Sequence, residues 1–230
     1  MRFAIRFFAP VLALLLASCD ARPSADQAEA PASQAPAAVV ADTAQHTAPA
    51  ATAQPVDTAV AGAWRQLETA LRTRDAAALT QLIDPAVGLW VLEQPGAVPA
   101  VTRITNLSSF RRSYQGLPLV SVGAQLMNCP QLRALPALPD ADCGLQTEQN
   151  AGFALSGCLS GPASSFRQMD LWPYASVKGG TAAQGQAAQR RCTHTVLQTQ
   201  TGFRFHFAQP ATPGGRWHLI FIDLRTPCIA

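Results

Sequence analysis

Three histidines stand 12 residues apart, at His194, His206 and His218, and they are the residues of this chain whose spacing most directly suggests chemistry. Imidazoles at matching positions of adjacent strands lie about 4.8 Å apart. Such a row could bind Zn²⁺ or Cu²⁺ through nitrogen ligands about 2 Å from the ion, with an open position for water or substrate. The plainer reading is three polar side chains on a wetted sheet face. Two carboxylates join the candidates. Asp223 closes the run Trp-His-Leu-Ile-Phe-Ile-Asp on the side of the aromatic residues, where it is either a buried acceptor of backbone hydrogen bonds or a general base. Asp170 is the other.

The row depends on strand register. Phe203-Arg204-Phe205-His206-Phe207 alternates strictly, residues 217–224 are apolar on both faces, and Pro213-Gly214-Gly215 lies between them, so the two segments read as an antiparallel hairpin. A turn centred near Thr212 sets Phe207 against Trp217, Phe205 against Leu219 and Phe203 against Phe221, with His206 opposite His218 on the other face. A preceding turn centred on Gln200 sets His194 opposite His206. None of the nucleophile-elbow, Ser-x-x-Lys, His-Glu-x-x-His, P-loop or dinucleotide motifs occurs. Gly157-Cys158-Leu159-Ser160-Gly161 has the wrong spacing for an elbow and reads as a loop.

The elements that must position these residues begin with helices. Val60, Trp64, Leu67 and Leu71 recur at helical spacing after a cap at Asp57 or Thr58, and Asp75 caps a second short helix carrying Leu79, Leu82 and Ile83. Asp84-Pro85 ends it. Residues 87–93 and 98–104 flank Gln94-Pro95-Gly96 as two strands around a turn. A short helix is expected from Asn106, a strand over 119–126 and a short helix over 166–171, within a Pro-, Gly-, Ser- and Gln-rich stretch over 128–192 that has little pattern. Trp64, Trp90, Trp172 and Trp217 read as core. Helices first and strands last make an α+β domain, with N-terminal helices packed on a mainly antiparallel, strongly curved sheet.

Upstream, residues 1–18 carry two arginines and then ten apolar residues, about half the roughly 20 that span a bilayer as a helix. This is the pattern of a secretory signal. Its end, Leu16-Ala17-Ser18-Cys19, resembles the lipobox of bacterial lipoproteins, which implies that Cys19 is acylated and becomes the new N-terminus. Asp20 resembles the signal that retains such proteins at the inner membrane. Residues 20–57 hold 14 alanines and five prolines without one aromatic residue, a composition too poor in apolar side chains to order itself. With Cys19 it reads as a tether, so that 58–230 is one globular domain. That domain carries 14 basic residues, 13 of them arginine, against nine acidic ones, scattered without a basic stripe, and no nucleic-acid signature results.

In an exported domain, cysteines without Cys-x-x-Cys spacing are expected in disulfides. Cys129, Cys143, Cys158, Cys192 and Cys228 are five. The expected bridges are Cys143–Cys228, because Cys228 follows directly on the final strand, and Cys158–Cys192, with Cys129 free or paired between molecules. Cys129–Cys143 is the local competitor. The pattern Leu67, Ala70, Leu71, Asp75 and the ending WHLIFID resemble the nuclear-transport-factor-2-like (cystatin-like) fold. Asp142-Cys143 and WHLIFIDLRTPCIA are similar to uncharacterised bacterial lipoproteins.

The expectation from the sequence is a membrane-tethered envelope protein facing the periplasm, its domain a non-enzymatic accessory or binder of a small ligand or an envelope protein, without a cofactor. The alternative is a periplasmic enzyme or a zinc or copper protein using the sheet histidines and Asp223.

Overall fold

A computed structural model describes residues 58–210, 212 and 215–228. The signal, Cys19 and the tether lie outside the described residues.

Helix α1 (Thr58–Arg72) buries Val60, Trp64, Leu67, Ala70 and Leu71 along one stripe, as a 3.6-residue period requires. Asp75 caps α2 (Ala76–Leu82), its carboxylate accepting from the Ala77 and Ala78 amides at 3.0 and 2.9 Å. Asp84 then accepts from the Ala86 and Val87 amides at 2.8 and 3.2 Å, turning the chain into β1 (Leu89–Glu93), which pairs antiparallel with β2 (Ala100–Ile104).

The remaining elements are β3 (Arg133–Ala134), β4 (Gln146–Thr147), β5 (Asn150–Ala151), β6 (Cys158–Pro162), α3 (Ser164–Gln168), β7 (Ser176–Lys178), α4 (Ala182–Arg191), β8 (His194–Gln198), β9 (Arg204–Ala208) and β10 (His218–Asp223). Eight strands form one sheet in the order β3-β6-β8-β9-β10-β1-β2-β7, while β4 and β5 form a small ribbon. The α+β class holds, but the sheet is mixed and not mainly antiparallel. β3 with β6, β10 with β1 and β2 with β7 all run parallel. Hairpins announce themselves through local turns. Parallel neighbours join residues far apart in the chain and leave no local sign.

Helices cover both faces of this sheet. On one side α1, α2 and a 3₁₀ segment (Leu119–Gln125) pack on Leu89, Val91, Val196, Phe205, Phe207 and Leu219. On the other, α3, α4 and Trp172 pack on Trp90, Leu92, Val101, Ile220 and Phe221. Double coverage is why residues 217–224 are apolar without alternation.

Three local expectations change. The 119–126 stretch is the 3₁₀ segment instead of a strand, pressed so closely on α1 that a Cβ at Gly123 would collide with the Leu71 carbonyl. After Asn106 there is an Asx turn, with the side chain accepting from the Ser108 amide at 2.9 Å, and no helix. The 157–161 stretch is not a loop, because Cys158–Pro162 is strand β6 and pairs with β8.

Cys143 and Cys228 form a disulfide with Cα atoms 5.3 Å apart. The second bridge is Cys129–Cys158, at 5.7 Å, and not Cys158–Cys192. The sheet itself separates the expected pair, since Cys158 and Cys129 belong to the core under α1 whereas Cys192 lies in the core on the opposite face. Cys192 remains a buried thiol, near the Ala188 carbonyl at 3.7 Å.

Candidate functional site

The histidine row does not form. The β8–β9 turn falls between Gln200 and Thr201 instead of on Gln200, so His194 pairs with Phe207 and Thr195 with His206. That one-residue slip carries His194 to the α1 face, where Nε2 shares a 2.8 Å hydrogen bond with Ser160 Oγ and the ring meets the Trp217 edge. His206 and His218 share the other face but are not partners, since His218 lies opposite Ala208 and His206 opposite Phe221. Among the described residues no group of three or more His, Cys, Asp or Glu side chains converges for a metal.

A bulge in β10 accounts for the rest of the changed register. Leu219 pairs with Phe207 and Phe221 with His206, leaving Ile220 unmatched, and the extra residue reverses the facing of everything after it. Phe203, Phe205, Phe207, Trp217 and Leu219 do share the α1 face, but Phe221 crosses to the other one. Asp223 crosses with it. It therefore lies not on the aromatic side but opposite Arg204, on the face of His206.

There Asp223 is bound by Arg225 at two points, Nε to Oδ1 at 2.8 Å and Nη2 to Oδ2 at 2.6 Å, and accepts the Arg225 amide as well. Burial works to raise its carboxyl, but the hydrogen bonds and charge of Arg225, with Arg204 and His206 nearby, prevail and hold it below the usual carboxylate range. His206 is fully buried. Its ring stacks on Phe166 at 3.6 Å and Nδ1 shares a hydrogen bond with Thr195 Oγ1 at 2.8 Å, while Nε2 has no partner. Burial lowers its pKa to about 3, against the pull of Asp223 and aided by Arg204 and Arg225. Asp223 and His206 are thus buried groups, the one ion-paired and the other neutral, and Asp170 is simply exposed.

Five principal cavities among the described residues measure about 230 to 500 Å³, and none is lined by His194, His206, His218, Asp170 or Asp223. The largest lies between α1 and α2, where Arg65, Asp75 and Arg216 are all exposed. A cleft of about 330 Å³ differs because buried groups of both charges line it. Glu93, at the end of β1, is 5% exposed and Arg112 8%.

The local chain explains this placement. Strand β1 reads Leu-Trp-Val-Leu-Glu, and at its C-terminal end Glu93 Oε2 accepts from the Ser113 amide at 2.9 Å. The 112–117 segment folds back through Gln115 and Gly116, both left-handed at φ 64° and 62°, and closes with the Arg112 amide donating to the Leu117 carbonyl at 2.8 Å. This turn holds Arg112 inward and Tyr114 out at the mouth. Arg112 Nη1 donates to Gln125 Oε1 at 3.1 Å, whereas its Nε stands 3.5 Å from Glu93 Oε1 without a hydrogen bond. Phe203, Leu224 and Pro95 supply apolar wall. A carboxylate ending an otherwise apolar strand was the available sequence signal for this site; Arg112, directly after Arg111, was one of the scattered arginines.

No protein-family model matches the chain, and no curated protein or solved structure does so.

Proposed function

We propose that this chain is an exported lipoprotein, anchored through lipid on Cys19 at the periplasmic side of the inner membrane, and that its domain binds a small ligand without transforming it. The observation that supports the binding reading is the Glu93–Arg112 cleft, a concavity that brings buried polar groups and apolar wall together, the usual make-up of a small-molecule site. The enzyme or metal-protein alternative rested on the sheet histidines and Asp223, and none of these lines any of the five cavities described above.

For the anchor, the support is the charged start, the ten apolar residues and Leu16-Ala17-Ser18-Cys19. Several acyl chains on one terminus hold firmly, each buried methylene contributing about 0.8 kcal/mol. The membrane would then be the domain's constant partner, with the 38 residues from Asp20 to Asp57 as spacer. Cys19→Ala is expected to abolish labelling by radioactive palmitate and to move the protein to the soluble fraction or leave its leader uncut. Normal processing with retained membrane attachment would exclude lipid anchoring at Cys19.

A further inference from the structure

We infer that the Glu93–Arg112 cleft takes a neutral, polyhydroxylated ligand of one or two saccharide rings; this deepens the reading of the cleft as a ligand site and rests on it. Size comes first. About 330 Å³ lies at the low end of the roughly 300–1,000 Å³ of small-molecule sites, which admits a sugar or a short oligosaccharide end and no large cofactor.

Charge narrows the class. Glu93 and Arg112 are both more than nine-tenths buried and cancel one another. A ligand carboxylate drawn to Arg112 meets Glu93, an ammonium drawn to Glu93 meets Arg112, and buried like-charge contact is strongly unfavourable. A neutral ligand escapes both.

Hydrogen bonding supplies the positive argument. Elsewhere in this protein a buried carboxylate and a half-buried guanidinium close into a two-point bond, as Asp223 and Arg225 do. Glu93 and Arg112 instead meet at a single point, Nε 3.5 Å from Oε1, as an ion pair without a hydrogen bond between them. The guanidinium has five N–H donors and uses one, toward Gln125; the carboxylate accepts one, from Ser113. A hydroxyl both donates and accepts, so adjacent hydroxyls on a ring can take from Arg112 and give to Glu93 at once. Around them, the Gln125 NH₂ group and the Thr226 hydroxyl add neutral donors and acceptors.

The wall completes the match. Sugar rings present C–H faces between their hydroxyls, and Phe203, Leu224 and Pro95 line the cleft for them. Tyr114 at the mouth is 63% exposed, an aromatic plane with a polar tip of the kind that serves where one side is apolar and the other wet.

The test uses the full chain in a polyoxyethylene detergent, since alkyl-glycoside detergents would occupy the site. Saturation-transfer NMR and calorimetric titration are run with glucose, N-acetylglucosamine and maltose, and with citrate and choline as anionic and cationic probes. Saccharide binding is expected, weakened at least tenfold by Glu93→Gln and at least fivefold by Tyr114→Ala. The latter is a surface change and should leave the melting temperature unmoved. Binding of citrate or choline, weakened by Tyr114→Ala, with no saccharide binding would overturn the ligand class and keep the cleft as a site. Saccharide binding indifferent to both substitutions would place the sugar elsewhere and overturn the assignment. No binding by any probe would remove both the class and the ligand-site reading.

Discussion

At the scale of single residues, two of the side chains most prominent in the sequence, His206 and Asp223, are buried in the interior. His206 is the clearest case. A fully buried imidazole with its pKa lowered to about 3 is neutral in the folded protein, whereas in the unfolded chain it protonates near its ordinary value of about 6.5. The unfolded state therefore binds the extra proton between those two values, and stability falls as pH drops through about 6.5 toward 3. By pH 5 the loss from this one ring is about 2 kcal/mol. Asp84 and Asp223, both held below the ordinary carboxylate range, begin to cost stability only under about pH 4. Urea unfolding of His206→Asn between pH 7 and pH 4.5 is expected to show lower stability at every pH but a flatter slope than wild type; an unchanged slope would contradict a buried neutral ring. Glu93 and Arg112 were less visible, because a carboxylate ending one strand and a guanidinium 19 positions later share no motif, and only the left-handed turn at Gln115-Gly116 brings them together.

At the scale of elements, α1, α2, β1, β2, β9 and β10 were legible because each carries its own period or cap, from the stripe of α1 to the Asp75 cap. What failed was the joining of elements. One residue in the β8–β9 turn and one bulge in β10 decide which face His194, Phe221 and Asp223 occupy, and neither leaves a trace in hydrophobic pattern. Helix α4 was missed for a different reason. Its sequence AAQGQAAQRR holds alanine, glutamine and glycine instead of large apolar residues, because it packs flat. Gly185 lies directly under the Trp172 ring, and a Cβ there would collide with it. Gln189, beside it, binds the Trp172 indole and the carbonyls of Phe166 and Met169. An exposed helical Gly→Ala change stabilises by about 1 kcal/mol. Gly185→Ala should reverse that sign, destabilising by about 1–3 kcal/mol through overpacking, as read from the urea midpoint; a gain in stability would show that α4 can lift without cost.

At the scale of the whole molecule, two disulfides close loops of very different span, and their worth should follow it. In the chain-entropy account, the Cys143–Cys228 loop, with a sequence separation of 85, contributes about 4–5 kcal/mol and the Cys129–Cys158 loop, with a separation of 29, about 3–4 kcal/mol. Paired Cys→Ala variants are expected to lose stability in that order under non-reducing denaturation, and the reverse order would point to native-state effects instead of loop closure. The same breadth of connection appears in the sheet, with a consequence in time. Strand β10 lies between β9 and β1, so Trp90 meets its parallel neighbour Phe221 only across more than half the chain's length. Pairing over such distances is slow. While synthesis is under way, β1 and β2 must stand with one flank open until residues 218–223 arrive, so the newly made chain keeps a pairing edge exposed until its last strand is complete.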